Sequence, residues 1–381
     1  MTRDDPDGEL AALLPRLIAD MRIHFLDNLR TALTALVIFH HAALPFGGIG
    51  YWEYSSPYHA QESSWLLVAF VAVNQSYFMG MLFFLSGHFS AIAVQRKEMK
   101  TFCLDKIRRL GIPVVVYTLF LHPIVIVLVR WSEHAPIFPA VLGYWGSLRG
   151  ARGPVWYLAT LLFFDLVYAI RVKFLPPFSF LLPTSAGRYK FTAALCILIV
   201  TVTSFFVRMS YPVGRASAPL GLQLGYAPQY VLAYISGTCL SYIQQYLLVS
   251  HPARDVALAY LGAIFSLGAV WLSSQGGANL AALIYAIWNE CCFYFIGTTL
   301  FSFFHSSPYT TKKWGSSARY SYGAYLIHPI VVVSLQIMLD KSVGRSVDGV
   351  IKMLVVGTAG TCISWAAAWA VIRIPGVGRV I

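Results

Sequence analysis

Long apolar runs restrict what this chain can fold into more than any other feature of the sequence. Ten of them approach the roughly 20 helical residues that are needed to cross the hydrocarbon layer of a membrane. They are residues 29 to 46, 64 to 92, 111 to 130, 155 to 172, 190 to 208, 226 to 247, 254 to 273, 281 to 304, 319 to 340 and 349 to 372. The runs are continuously apolar, whereas the strands of a transmembrane barrel are about ten residues of alternating polarity. The sequence therefore predicts an all-α, polytopic membrane protein with about ten transmembrane helices.

The composition and the placement of charge support the same class. Hydrophobic residues make up 57% and charged residues 12% of the 381 residues, which is too little polar surface to cover a soluble globule. The net charge of +12 does not indicate nucleic-acid binding, because the basic residues cluster at the ends of the predicted helices. With a cytoplasmic N-terminus, most of the 28 Lys and Arg residues fall on the cytoplasmic side, as the positive-inside rule expects. We therefore expect both termini to be cytoplasmic and the lipid bilayer, not nucleic acid, to be a partner.

Three regions are predicted along the chain. Residues 1 to 28 form a cytoplasmic N-terminal segment without a cleavable signal peptide, in which the amphipathic stretch 9 to 22 is a candidate surface helix. Residues 29 to 373 form one membrane domain, and residues 374 to 381 form a short cytoplasmic tail. The outside loop from 47 to 63 has no Lys or Arg and is rich in Gly, Tyr and Trp, which suits an acceptor-binding lip and an interfacial aromatic belt equally.

A histidine in the first predicted span is the strongest candidate for chemistry. Arg30 and His41 are 11 residues apart, so they return to within roughly 20° of the same helix face, with His41 roughly 16 Å further along the axis. An arginine at the cytoplasmic edge then places the imidazole of His41 near the middle of the bilayer. Such a histidine can act as a general base, a nucleophile or a proton relay, and the alternative is a histidine that only locks helix packing. His40 points about 100° away and is a weaker candidate.

Polar residues in other spans are candidates to support that histidine or to bind substrate. Asp165 and Glu290 lie in the fourth and eighth predicted spans, and each buried carboxylate needs an Arg or His partner from another span. In the ninth span, Ser321, Tyr325 and His328 follow helical spacing and share one stripe. Pro329 cannot donate a backbone hydrogen bond, so the Tyr325 carbonyl is free to bond elsewhere.

The segment from Arg96 to Arg109 places six basic residues directly before Pro113 and a new span. Such a cluster can hold the phosphates of a nucleotide-containing cofactor at the membrane surface. It also satisfies the positive-inside rule with no further role, and composition alone favours that interpretation.

Taken together, these segments resemble the membrane acyltransferase family 3, especially its glucan succinyltransferase branch, which is called glucan biosynthesis protein C. The resemblance covers most of the chain. The matching motifs are Arg30 with His41, FFLSG at Phe83 to Gly87, the basic pair Lys106 and Arg109 followed by Leu110 and Pro113, GPVWYL at Gly153 to Leu158, and SYGAYLIHP at Ser321 to Pro329.

The resemblance implies that residues 29 to 373 are an acyltransferase 3 domain. It would move an acyl group, acetyl or succinyl, from cytoplasmic acyl-CoA to a hydroxyl of a glycan, a lipid or a small molecule, with acetyl-CoA the expected donor and no metal. His41 would be catalytic with Arg30 in support, and Lys106 stands where the family commonly has an arginine. The implied phosphate-binding residues are Lys106, Arg108, Arg109 and Arg96. The residues implied to contact or support the substrate are Ser86, Trp156, Tyr157, Asp165, Glu290, Tyr325 and His328.

A different class stays open on the sequence alone. Ten spans with interior His, Asp and Glu also suit a proton-coupled secondary transporter or exporter of a glycan or lipid-linked substrate. Neither paired broken helices nor repeated halves are evident, which disfavours the transporter. A non-catalytic membrane scaffold would leave the buried polar residues with packing roles only.

Overall fold

The computed structural model describes residues 24–59, 63–175 and 183–380, so the surface helix predicted at 9 to 22 lies outside the described residues. The helices, numbered in chain order, are α1 His24–Ala43, α2 Trp65–Arg96, α3 Met99–Ser132, α4 Ile137–Gly146, α5 Val155–Phe174, α6 Ala186–Ser210, α7 Ala227–Thr238, α8 Leu240–Ile243, α9 Pro252–Ser273, α10 Ala278–Ser306, α11 Ser317–Val343 and α12 Gly349–Val371. Two short strands, β1 Ala216–Ser217 and β2 Leu222–Gln223, pair antiparallel with Ala216 opposite Gln223. Within the described ranges, nine helices are long and apolar enough to span a membrane, counting short 3₁₀ extensions of α1, α9 and α11. The protein is therefore an all-α, multi-pass integral membrane protein, as predicted.

The sixth predicted span, 226 to 247, is broken rather than continuous. Helix α7 ends at Thr238, and the chain goes on through the four-residue α8 and a 3₁₀ turn, Gln244–Tyr246. The Thr238 hydroxyl donates to the Ile235 carbonyl at 2.7 Å, so the Cys239 amide bonds to Ser236 instead. This competition of a hydroxyl with the helical ladder explains why a uniformly apolar run does not form one long helix.

Helices α2 and α7 touch backbone to backbone. A Cβ at Gly87 would lie 2.2 Å from the Tyr234 carbonyl oxygen, and one at Gly237 would lie 1.9 Å from the Phe84 carbonyl oxygen. Only glycine fits at such crossings. The glycine of the FFLSG motif therefore allows this close approach, which fixes α2 against α7.

Prolines within the spans release backbone carbonyls, and side chains take them up. Pro113 and Pro123 each follow a wide π turn in α3, Ile107–Gly111 and Tyr117–Leu121. The carbonyl four residues before Pro113, that of Arg109, accepts from Tyr322 at 2.5 Å. The carbonyl four residues before Pro123, that of Leu119, accepts from the Trp145 indole at 3.2 Å. The carbonyls that the prolines leave without a helical donor are therefore bonded by side chains of other helices.

The bundle has two unlike ends. At one end α2 stops and α3 starts, and we call this the basic face because it carries Arg96, Arg108 and Arg109 with exposed side chains. At the other end α1 stops and α2 starts, and we call this the cavity face. Its loops around residues 47–59, 147–154 and 211–226 surround one cavity, and the Ala151 amide bonds to the Pro219 carbonyl at 2.9 Å to join two of them.

Candidate active site

A cavity of about 1030 Å³ opens on the cavity face and reaches down to His41 and His328. Its walls are rich in aromatic side chains, among them Trp52, Trp65, Trp156, Trp271, Tyr226, Tyr230, Tyr285 and Tyr325. Large cavities with an aromatic lining and few polar groups are typical of binding sites for organic ligands. The outer loop 47–63 was expected to be either an acceptor-binding lip or an aromatic belt, and its residues 49–53 do line the cavity.

His41 and His328 form a hydrogen-bonded pair at the base of this cavity. Their facing nitrogens, His41 Nδ1 and His328 Nε2, are 3.0 Å apart, and His328 Nδ1 lies 2.6 Å from the Tyr325 carbonyl oxygen. A carbonyl only accepts, so His328 Nδ1 carries a proton, and in the neutral ring its Nε2 is then an acceptor. His41 Nδ1 therefore donates to His328, which leaves the lone pair of the neutral His41 ring on Nε2. The geometry thus prepares His41 Nε2 to accept a proton or to attack a carbonyl carbon.

Helix α11 orients His328 through the backbone carbonyl that the sequence leaves free. The carbonyl that His328 uses belongs to Tyr325, four residues before Pro329, and proline cannot take it up as a helical acceptor. The Tyr325 hydroxyl in turn donates to the Pro154 carbonyl at 2.8 Å and ties α11 to the start of α5.

Trp52 covers the histidine pair from the cavity face. Its ring stacks on His41 with centroids 4.3 Å apart and planes 17° apart. Its indole N–H donates to Gln336 at 2.8 Å, and the Gln336 amide donates to the His41 carbonyl at 3.0 Å. The Gln336 side chain of α11 therefore holds both Trp52 and the end of α1 in place.

A buried ion pair anchors the loop that carries Trp52. Tyr54 donates to Asp340 at 2.8 Å, and the other oxygen of Asp340 accepts from Lys352 at 2.6 Å. Lys352 also donates to the Gly344 carbonyl at 2.5 Å and is fully buried. The position of the loop that carries Trp52 is thus set by the ion pair between Asp340 of α11 and Lys352 of α12.

His41 lies closer to the cavity face than its spacing from Arg30 suggests. Helix α1 begins at His24, five residues before the predicted start of the first span, and ends at Ala43, so His41 is in its last turn. Arg30 pairs with Asp27 at 2.8 Å, and its guanidinium lies 5.4 Å from the centre of the Phe89 ring. The two residues share a helix face but, at 11 residues apart, do not touch. The support that we predicted Arg30 gives to His41 is therefore not a direct contact.

Lys106, predicted to bind phosphate, is held by a carboxylate. Its ammonium lies 2.8 Å from Asp165 and 2.8 Å from the Ser90 hydroxyl. The second oxygen of Asp165 accepts from Ser90 and from Tyr234, each at 2.6 Å. Asp165 therefore has a cationic partner from another helix, but this is a lysine and not the Arg or His that we expected, and Asp165 does not orient His41.

Glu290 is likewise paired away from the histidines. It lies 3.6 Å from Arg208, accepts from Ser204 at 3.0 Å and accepts from Gln229 at 3.2 Å. The Arg208 guanidinium lies over the ring of Tyr285, 4.9 Å from its centre, and Tyr285 lines the cavity. Glu290 therefore supports the aromatic wall from behind.

Residues of the FFLSG and GPVWYL motifs meet below the cavity. The hydroxyls of Ser86 and Tyr157 are 2.8 Å apart, and the Tyr157 ring lies 5.7 Å from that of Tyr325. Trp156 lines the cavity and stacks on Tyr230 at 5.7 Å. Among the residues that the structure describes, Arg30, Lys106, Arg108 and Arg109 do not line the cavity, so this aromatic layer separates it from the basic face.

Sequence reasoning missed a second polar group on the cavity wall. Glu53 lies 3.8 Å from His122, and Tyr117 and Arg152 line the same part of the cavity. Burial raises the pKa of the Glu53 carboxyl above its usual value, while the Tyr51 hydroxyl and the Arg152 guanidinium act in the opposite direction. The only sequence signals were a lone Glu in an aromatic loop and a histidine before Pro123. Within residues 24–59, 63–175 and 183–380, no group of three or more His, Cys, Asp or Glu side chains is placed to hold a metal ion.

The fold and the site describe an integral membrane protein with a hydrogen-bonded histidine pair at the base of a large cavity. A family model described as an acyltransferase domain, acyltransferase 3, matches residues 23–370. The chain therefore belongs to the acyltransferase 3 family and is a membrane acyltransferase, which disfavours the transporter. No curated protein and no solved structure matches it, and the glucan succinyltransferase branch stays a prediction.

Proposed function

We propose that the protein is an O-acyltransferase that takes an acyl group from acyl-CoA at the basic face and passes it to a hydroxyl of an acceptor that enters from the cavity face. The observation that carries this proposal is the hydrogen-bond chain from the Tyr325 carbonyl through His328 to His41, which leaves His41 Nε2 as a base. Membership of the acyltransferase 3 family supports the reaction class. Acetyl is the acyl group we expect, with succinyl as the alternative that the resemblance to glucan succinyltransferase implies.

The transfer uses one lone pair. His41 Nε2 takes the proton of the acceptor hydroxyl as its oxygen attacks the thioester carbonyl carbon. The carbon–sulfur bond then breaks, and the CoA sulfur leaves with the proton from His41. In the second route Nε2 itself attacks the carbonyl carbon, and the carbon–sulfur bond breaks to release CoA as the thiolate. The acceptor oxygen then attacks the acyl carbon, its proton passes to the thiolate, and the carbon–nitrogen bond breaks to restore neutral His41. In both routes His328 holds the ring and accepts from Nδ1 as positive charge develops on His41.

The donor side of the proposal rests on the basic face. Arg96, Arg108 and Arg109 have exposed side chains there and suit the phosphates of CoA. Lys106 is only 19% exposed and is neutralised by Asp165, so we assign it the weakest share of phosphate binding. The acyl-bearing arm of CoA would have to pass the layer formed by Ser86, Tyr157 and Tyr325 to reach His41.

Mass spectrometry of whole cells tests the proposal for an acceptor of any chemical class. Glycans, lipids and metabolites from cells with and without the gene should differ by species heavier by one acyl group. Cells that carry His41→Ala should lack those species, whereas cells that carry His40→Ala, the matched neighbour, should retain most of them. No acylated species in the gene-bearing cells, or an unchanged set with His41→Ala, contradicts the proposal.

A further inference from the structure

The part of the cavity wall formed by Glu53, Tyr117, His122 and Arg152 is not used by the transfer described above. These residues come from the outer loop, from α3 and from the loop before α5. We infer that they form a subsite for a second hydroxyl of the acceptor, so that the enzyme prefers a diol or polyol to a simple alcohol. This inference rests on the proposed function.

Unpaired polar atoms are the first observation behind the subsite. The Tyr117 hydroxyl and His122 Nδ1 are both buried, and neither has a hydrogen-bond partner within the described part of the chain. The residues are 1% and 4% exposed, yet both line the cavity. Buried polar groups without a partner are rare, because leaving such a group unpaired costs free energy. A ligand hydroxyl that enters the cavity can both donate and accept there.

Gly153 leaves space beside these two atoms. A Cβ at this position would lie 3.0 Å from the Tyr117 hydroxyl oxygen and 3.3 Å from His122 Nδ1. The backbone of Gly153 also has a φ of +60°, which disfavours other residues. The glycine of the GPVWYL motif is thus explained by the polar atoms that a Cβ would crowd.

Glu53 and Arg152 supply the charged part of the same wall. The Glu53 side chain is 22% exposed, with one oxygen 3.8 Å from His122 Nε2 and the other accepting from Tyr51 at 3.2 Å. Each carboxylate oxygen can accept more than one hydrogen bond, so capacity for a ligand O–H is left. Arg152 lines the cavity with an exposed side chain and can donate. A carboxylate acceptor beside cationic and neutral donors suits the paired hydroxyls of a diol better than a hydrocarbon chain.

The subsite and His41 line the same cavity. Trp52, the residue before Glu53, stacks on the His41 ring. An acceptor bound with one hydroxyl at His41 Nε2 can therefore extend along the wall and present a second hydroxyl to the Glu53 side. A site built to bind a hydroxyl discriminates strongly against an analogue without it, because its own polar groups then stay unpaired.

Purified full-length protein can be tested with labelled acetyl-CoA and two probes, cyclohexane-1,2-diol and cyclohexanol. We expect wild-type kcat/KM for the diol to exceed that for the mono-alcohol at least tenfold. Glu53→Gln and Tyr117→Phe change little in size. Glu53→Gln should reduce this preference by about tenfold or more and Tyr117→Phe by about 2- to 10-fold, since a hydrogen bond to a charged group contributes more than one to a neutral hydroxyl. Glu133→Gln, an exposed carboxylate paired with Arg130 at the end of α3, is the matched control and should keep the preference. The melting temperature of each variant checks that it is folded.

The outcomes separate this inference from the proposed function. Acetyl transfer or acetyl-CoA hydrolysis by the wild type without preference for the diol overturns the subsite and leaves the acyltransferase proposal standing. A preference that survives in folded Glu53→Gln and Tyr117→Phe also overturns it. Neither transfer nor hydrolysis of acetyl-CoA by the wild type overturns the proposed function and the subsite with it.

Discussion

Two buried polar clusters in this protein have opposite designs. Around Asp165, Lys106 binds one carboxylate oxygen, and Ser90 and Tyr234 bind the other. Around His41, the chain of donors and acceptors stops at Nε2, below an open cavity. A saturated cluster stabilises the helices that it joins, whereas a cluster with one open position can act on a ligand. The difference lies in the pairing of the groups and not in the types of residue involved.

Removal of the His41 imidazole, whose Nε2 is the open position, should have the largest effect on the rate of transfer. His41→Ala deletes the only lone pair that the histidine pair offers to a substrate, so transfer from acetyl-CoA should fall by about 10²- to 10⁴-fold, the usual range for a lost general base. The melting temperature should change little, because His41 is half-buried at a cavity. Steady-state kinetics and thermal unfolding measure the two effects. A variant that keeps more than half of the activity would place the chemistry elsewhere.

The saturated cluster should respond in stability. Lys106→Met leaves Asp165 as an unpaired carboxylate with no solvent exposure, which should cost about 3–5 kcal/mol of unfolding free energy. The double variant Lys106→Met with Asp165→Leu should recover most of that loss, because no unpaired charge remains. Thermal unfolding in detergent measures both.

The same pair of variants decides what Lys106 does for CoA. In the double variant the KM for acetyl-CoA should stay within about threefold of the wild type if Lys106 is structural. A rise of tenfold or more, with stability restored, would assign Lys106 to phosphate binding instead.

His328 should have an intermediate effect as a positioning residue. His328→Phe keeps an aromatic ring but removes the acceptor for His41 Nδ1–H, so kcat should fall by about 10- to 100-fold, as when an orienting partner is removed elsewhere. The KM for acetyl-CoA should be unchanged. His328→Gln, which restores an acceptor oxygen, should recover part of kcat. Equal losses in both variants would mean that His328 acts through packing alone.

The smallest expected effect is a shift in pH dependence at the second hydroxyl subsite. Burial raises the pKa of Glu53, so the carboxylate is lost on acidification at a higher pH than for an exposed glutamate, and the preference for diol over mono-alcohol should fall with it. Arg152 lowers the pKa of Glu53, so Arg152→Gln should move this acid limb to higher pH. Tyr51, Tyr117, Tyr144 and His122 also face Glu53 and are unchanged in this variant.

The ratio of the two acceptors removes the titration of His41, which affects both reactions alike, and the Glu53→Gln variant then distinguishes Glu53 from His122, the other titratable group of the subsite. Glu53→Gln should give a ratio that does not vary across the same pH range. If the acid limb of the diol preference stays in place or moves to lower pH in Arg152→Gln, the role of Glu53 is contradicted.

Features repeated along a helix could be predicted from the sequence. The apolar runs predicted the spans. The stripe of Tyr325 and His328 with Pro329 predicted the free carbonyl that orients His328 in the histidine pair. The partner requirement of Asp165 was also predictable, because an isolated buried charge is too costly. The identity of that partner was not, since Lys106 comes from a distant helix and had a second plausible role on a basic surface.

Features that depend on contacts between distant segments could not be predicted. Trp52 and Glu53 belong to a loop with no periodic pattern, and the place of Trp52 over His41 is set by Gln336 and by the pair of Asp340 and Lys352. The break after Thr238 depends on one hydroxyl taking one carbonyl, which composition does not reveal. The start of α1 at His24 was not predicted either, because the apolar run begins only at residue 29.

The central claim is that a thioester from the basic face meets a hydroxyl from the cavity face at His41. Sealed membrane vesicles of opposite orientation test it with labelled acetyl-CoA, which does not cross a membrane. Inverted vesicles, with the basic face outward, should incorporate label into their own acceptors, and right-side-out vesicles and inverted vesicles with His41→Ala should not. Label incorporated equally in both orientations, or undiminished with His41→Ala, would contradict the account.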